Sequence, residues 1–109
     1  MRAAWFDKFG AAQDVLHIGE RDTPVAGPGE VLVRVSTSGV NPSDVKKRAG
    51  SFPNLLDDGF VIPNSDGAGI IEAVGDGVDG ARIGERVWLY QAQYERRFGT
   101  AAEYLAIES

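Results

Sequence analysis

GVNPSDVKKRAG, residues 39–50, reads as the end of a strand that breaks into a helix begun by proline. IPNSDGAGIIEAVGDGV, residues 62–78, reads as a second, glycine-packed strand followed by a tight turn, and IGERV, residues 83–87, leads into a third strand. That order places Asn41, Ser43 and Asp44 at a helix N-terminus and Ser65 and Asp66 just before a strand. Two polar clusters separated in sequence are thereby expected to converge. Working outward, Glu30 to Val40 is the clearest strand, because Val31, Val33, Val35 and Thr37 alternate with Leu32, Arg34 and Ser36. The valines are expected to face the core and Arg34 the solvent.

The helix is predicted over Pro42 to Ala49, stopped by Gly50. Asn41 suits the N-cap, and Asp44 complements the positive end of the helix dipole. Ser51 to Pro63 reads as a loop long enough to be functional or mobile. Gly67 to Val74, Glu85 to Leu89 and Thr100 to Ile107 read as further strands. Arg2 to Phe6 and Val15 to Arg21 read as an opening pair around a Phe9-Gly10 turn. Fourteen glycines and five prolines between short apolar runs are the punctuation of a mainly β domain.

Gly75-Asp76-Gly77-Val78-Asp79-Gly80 matches the dinucleotide fingerprint G-x-G-x-x-G letter for letter. The fingerprint needs a helix to begin there, so that its N-terminus can hold a pyrophosphate. Here Ala81-Arg82-Ile83-Gly84 turns again within four residues, and Asp76 and Asp79 would repel phosphate. A hairpin-type connection is predicted, with no nucleotide-binding unit in this chain.

Composition narrows the function classes. A chain of 109 residues fits one domain and can bury roughly two-thirds of its unfolded surface. A net charge of −5 disfavours nucleic-acid and anionic-membrane partners, which call for clustered cations. The one basic cluster, Lys46-Lys47-Arg48, reads as a solvated helix face. No apolar run approaches the roughly 20 residues of a membrane helix, the N-terminus lacks the apolar core of a signal peptide, and a cytoplasmic protein is expected. Zero cysteines and a single histidine, His17, leave no Cys-containing zinc site and no two-histidine site. His17 itself is expected on the surface.

Five blocks carry a family resemblance: Gly39 to Asp44, Asn64 to Gly69, Val74 to Val78, Gly84 to Val87, and Gly99 to Tyr104. They are similar, in order and spacing, to blocks of the medium-chain dehydrogenase/reductase superfamily, in its zinc-free quinone oxidoreductase branch, which includes zeta-crystallin. The resemblance implies a GroES-like, partly open β-barrel with one or two short helices. It implies that residues 1–109 are the substrate domain of a two-domain enzyme whose Rossmann domain is absent from this chain. In zinc alcohol dehydrogenases a cysteine stands at the place of Asn41 and a histidine followed by glutamate at Ser65-Asp66, so the resemblance also implies no zinc.

The activity so implied is NADPH-dependent reduction of quinones or enones by hydride transfer. The fragment alone would be inactive, its partners being the substrate and the Rossmann domain, with a homodimer a common state of relatives. The resemblance places Asn41 beside the nicotinamide ribose, as a catalytic and cofactor-binding residue, and Ser43 at a proton-relay position. Lys46, Phe52 and Ser65 fall at the substrate mouth. Plainer readings stand beside these: Asn41 as an N-cap, Ser43 as a first-turn residue, Lys46 as a wet lysine, and Asp66 paired with Arg48. Phe52 and Phe60 could wall one apolar pocket or anchor the loop. Asn41→Asp is expected to keep the cap, lose the donor and leave folding nearly unchanged. Rival readings are a stand-alone GroES-like binding module, an enoyl-thioester or alkenal reductase of the same superfamily, and a structural protein recruited from it.

Overall fold

β3 (Glu30–Gly39) is the strand around which the molecule is organised, and the computed structural model describes it with the rest of residues 1–109. Val31 and Val33 are fully buried while Arg34 is exposed, as a one-sided strand requires. β3 pairs antiparallel with β4 (Asp66–Val74) on one side and β6 (Tyr104–Glu108) on the other, and β4 pairs with β5 (Arg86–Leu89). The sheet order is β5-β4-β3-β6. Val31, Val33, Ile71, Leu89, Ala92 and Leu105 form its main core. On the opposite face Arg34 and Glu72 approach to 3.6 Å, a half-exposed pair of little energetic weight.

The alternation of β3 does not run its whole length. The β3–β4 register shifts between Leu32 and Val33 and again between Val35 and Thr37, and Thr37 is exposed. Gly69 sits opposite Val35 at the second irregularity. A Cβ there would overlap the Arg34 carbonyl oxygen and come within 2.8 Å of Val33 Cγ1. The absence of a side chain is what lets the two backbones close at this kink.

A second sheet, β1 (Arg2–Trp5) with β2 (His17–Glu20), packs at one end. The predicted strand from Val15 begins two residues later. Val15 instead closes a helical turn, α1 (Ala12–Val15), and is buried with Phe6 and Val61. The Ala11-Ala12-Gln13 run favours helix locally, and the turn delivers Val15 to this small second core. The last strand is also shorter than expected. Pairing starts at Tyr104, and Thr100 to Glu103 cross between the sheets, Ala102 bridging Ala3. Isolated bridges pair Ala3 with Ala102, Phe6 with Val61 and Ile62 with Phe98, tying β1 and the segment after it to the connecting segments. No single closed barrel results.

After β4, the segment that mimics the dinucleotide fingerprint makes a turn and then one turn of 3₁₀ helix, Gly80–Arg82. Asp79 Oδ1 accepts from the Ala81 amide at 2.9 Å, which starts that turn. β5 returns antiparallel to β4, so the strand–helix–parallel-strand geometry of a nucleotide site does not occur there. No helix is long and apolar enough to cross a membrane.

Candidate active site

α2 (Pro42–Ala49) leaves β3 through Val40 and Asn41. Pro42 occupies its first turn, and Gly50 ends it in the left-handed conformation, φ 100°, donating to the Lys46 and Lys47 carbonyls. Asp44, in the first turn, is buried at 5 % exposure. Its Oδ2 accepts from the Asn41 amide at 2.7 Å, and its Oδ1 accepts from the Asn64 amide at 3.2 Å. One carboxylate thus ties the helix start to the segment that precedes β4, and both oxygens find donors, as a buried charge requires. The Asn41–Asp44 pair has the shape of a capping box. The reciprocal bond, however, runs from the Asp44 amide to the Asn41 carbonyl oxygen at 3.0 Å, and no side-chain bond from Asn41 completes the cap.

The Asn41 side-chain amide turns toward β4 instead. Its Nδ2 donates to Asp66 Oδ2 at 2.7 Å. Thr100, fully buried, donates to the Asp66 carbonyl at 2.7 Å, and its hydroxyl lies 2.8 Å from that of Ser38. Asn64 Nδ2 donates to Ser38 Oγ at 2.8 Å. Six residues from four places in the chain therefore form one connected polar cluster at the crossing of α2, β3 and β4. Asn64 holds φ at 76°, a left-handed conformation that asparagine tolerates better than most residues.

The two polar clusters do converge, though not with every expected partner. Asn41 and Asp66 meet, and Ser65, half-buried, stands next to them with its carbonyl accepting from the Ala92 amide at 2.9 Å. Ser43 and Lys46 are exposed on α2 and form no side-chain hydrogen bond or salt bridge. Asp66 does not pair with Arg48, whose Nε donates to the Gly10 carbonyl at 3.2 Å; the shorter Asn41 side chain reaches the carboxylate first. Phe52 and Phe60 do not share a pocket. Phe52, 49 % exposed, lines a groove with Lys47 and Leu55. Phe60 stacks on Phe98 at 5.3 Å and on the Arg21 guanidinium at 4.0 Å. His17 is exposed, stacked on Trp5 and 3.9 Å from Asp7.

The Asn41–Asp66 contact argues against the expectation that Asn41→Asp leaves folding nearly unchanged, since it would place a second carboxylate against Asp66. Asn64, Ser38, Thr100 and the clamping role of Asp44 were not foreseen. The one sequence signal for them is the N-S-D-G run, whose asparagine suits a left-handed turn residue. One titration is displaced. The Glu72 charge, then burial, raises the Tyr104 hydroxyl above its usual range, with Arg34 opposing.

Zinc requires a set of soft or imidazole donors, commonly four. The donors gathered here are two amides, two hydroxyls and two carboxylates already occupied by N–H groups, and no group of three His, Cys, Asp or Glu side chains stands together. This set does not fit that metal. A nicotinamide nucleotide makes a different demand, hydrogen-bonding groups for its ribose hydroxyls. Asn41 fits it, because only one of its two N–H donors is committed to Asp66.

Comparison with known proteins identifies the family of the fold. An alcohol dehydrogenase from Moraxella sp. (strain TAE123) is 40% identical over 95 residues, which is 84% of this chain and 27% of that protein. A quinone oxidoreductase from Rattus norvegicus is 36% identical over 93 residues, 83% of this chain and 27% of its own. The solved structure of mycobacterial Rv1454c complexed with NADPH superposes with a TM-score of 0.81 at 28% identity, covering 100% of this chain and 32% of that one. The chain thus spans about a quarter to a third of the length of these relatives. The family described as alcohol dehydrogenase GroES-like domain matches residues 27–109. With that match running from β3 through β6, the chain belongs to the alcohol dehydrogenase GroES-like domain family of the medium-chain oxidoreductases.

Proposed function

We propose that residues 1–109 are the substrate-side domain of a zinc-independent, NADPH-dependent oxidoreductase that reduces quinones or enones, completed by a Rossmann domain. The carrying observation is the Asn41–Asp66 hydrogen bond at the start of α2, where zinc-dependent relatives are expected to hold metal ligands. An amide locked to a carboxylate offers a fixed neutral donor, suited to orienting a ribose hydroxyl. The similarity to a quinone oxidoreductase and to an NADPH complex supports both the substrate class and the cofactor.

NADPH, when bound, supplies the hydride. The chain's own residues then have three tasks. Asn41, held by Asp66, positions the ribose edge with its remaining N–H. Ser43 and Lys46, free of side-chain partners within the chain, donate to the substrate carbonyl oxygen as negative charge grows there, and one of them delivers the proton. Phe52, half exposed beside α2, covers the ring of the substrate. Asp44 touches no substrate in this scheme; it is a positioning residue that fixes Asn41 and Asn64.

We place this protein in the cytoplasm, working on small molecules. The deciding experiment follows NADPH oxidation at 340 nm by the full-length protein with duroquinone, with and without a chelator. Turnover that survives the chelator supports the reading. Turnover only with alcohols, or only after zinc is added, refutes it.

A further inference from the structure

The end of the molecule built from β1 and β2 holds a cation that the site described above does not use. Arg21, just after β2, is half-buried, with its guanidinium carbon 4.1 Å from the centre of the Trp5 ring and 4.0 Å from that of Phe60. Arg48, Arg82, Arg96 and Arg97, the other half-buried arginines, each donate to a carbonyl or a carboxylate. The Arg21 side chain donates to nothing, in a chain that carries 16 acidic residues. Its Nε is enclosed, whereas its two terminal nitrogens reach the surface. The guanidinium can therefore meet an anion end-on, through a pair of nitrogens whose spacing matches the two oxygens of a carboxylate.

The two rings hold the guanidinium in one place. Phe60 is itself fixed, because it stacks on Phe98 at 5.3 Å and its carbonyl accepts from Arg97 Nε at 3.2 Å and Nη2 at 2.9 Å. Arg21, Phe60, Ile62 and Phe98 line a cavity of about 430 Å³, within the size range of small-molecule sites. Two carboxylates also border it. Glu20 pairs with the Met1 amine at 3.3 Å, and Asp22 is exposed without a partner. Their negative charge disfavours phosphates and dicarboxylates, so a singly charged anion seated on Arg21 is the best match. None of these residues belongs to the Asn41–Asp66 cluster.

We propose that this cavity is a second small-molecule site, separate from the proposed reaction site, that binds a planar aromatic monocarboxylate. The terminal nitrogens of Arg21 take the two carboxylate oxygens, and Phe60, Ile62 and Phe98 cover the ring. Binding gives the guanidinium the acceptors that the chain does not provide, and it removes apolar surface from water on both sides. An uncharged ring would leave Arg21 without an acceptor. A small anion without a ring would leave the aromatic wall wet. The assignment stands independently of the oxidoreductase reading, with which it shares no residue.

The test uses the full-length protein, with benzoate, benzamide and acetate as probes, their binding measured by calorimetry. Benzoate is expected to bind with a Kd of about 1 mM or tighter. It should bind at least about tenfold more tightly than the other two, since benzamide lacks the charge and acetate lacks the ring. Arg21→Met keeps an apolar stem against Trp5 and Phe60, and should weaken benzoate at least about tenfold while leaving benzamide unchanged. Asp22→Asn removes a like charge at a position with no partner to lose, and should tighten benzoate about two- to fivefold. Absence of saturable benzoate binding overturns the site, as does benzamide or acetate binding equally well. An unchanged benzoate affinity in a folded Arg21→Met protein overturns it too. Should Arg21→Met fail to fold, Asp22→Asn decides: a benzoate affinity that is unchanged or lower overturns the site, and a higher one supports it.

Discussion

Replacing Asn41 by aspartate tests whether the site is assembled as described. Nδ2 of Asn41 and Oδ2 of Asp66 are 2.7 Å apart, and Asn41→Asp converts that donor into a second carboxylate oxygen. Two unit charges at that separation repel by roughly 6 kcal/mol at an effective dielectric of about 20. Proton uptake limits the penalty, since neutralising a carboxyl of ordinary pKa at pH 7 costs about 4 kcal/mol. The added charge at the start of α2 gives back about 0.3–1 kcal/mol, and both side chains are only partly buried, so solvent screening lowers the sum further. The expected loss is about 2–3 kcal/mol at pH 7.

Its pH dependence identifies the cause. The folded variant keeps a proton between the introduced carboxylate and that of Asp66, one that the unfolded chain has already released, so its stability falls as pH rises. The deficit against wild type should be small near pH 4 and grow toward pH 7 by up to about 1.4 kcal/mol per unit. Asn41→Ala loses only a hydrogen bond to a carboxylate, about 1.5–3 kcal/mol, with no such slope. Urea unfolding followed by fluorescence of Trp5 and Trp88 from pH 4 to pH 8 measures both variants. An Asn41→Asp deficit that is absent, or flat with pH, would show that Asn41 does not contact Asp66.

Three further outcomes are expected. Gly69→Ala should destabilise by more than about 2 kcal/mol in urea unfolding, because its Cβ overlaps the β3 backbone, whereas Gly80→Ala, with nothing within 4 Å, should lie within about 0.5 kcal/mol of wild type. Thr100→Val should cost about 1–3 kcal/mol in the same assay, since it leaves the Asp66 carbonyl and the Ser38 hydroxyl without their buried partner. For Tyr104, ultraviolet titration should show ionisation above the usual tyrosine value, and Glu72→Gln should bring it down, the Glu72 charge being the main cause. A raised folded value means this contribution is present below the unfolded pKa and disappears as pH climbs through the folded one. Tyr104→Phe should therefore flatten the fall in stability above pH 10, as read from melting temperatures.

Much of the site's scaffold was legible in the chain. α2 has the predicted bounds because its signals are local: asparagine before Pro42, Asp44 in the first turn, and glycine at its end. The valines of β3 announce their buried face by alternation alone, and the turn after Gly75 betrays itself by lacking a helix to follow. The absence of cysteine, with a single histidine, already limited which metal-ligand sets this chain could offer.

The partners of the polar side chains were another matter. Asp66 bonds Asn41 and not Arg48, Asp44 reaches across to Asn64, and Thr100 leaves its expected strand to join Ser38. Val15 turns inward on a helical turn ahead of its predicted strand. Propensity and periodicity act over a few neighbouring residues, so the local pattern of the chain was enough to set the elements, their order and their buried faces. Hydrogen-bond choice among residues twenty to sixty positions apart depends on which backbones approach within about 3 Å, and that approach exists only once the sheets and α2 have packed.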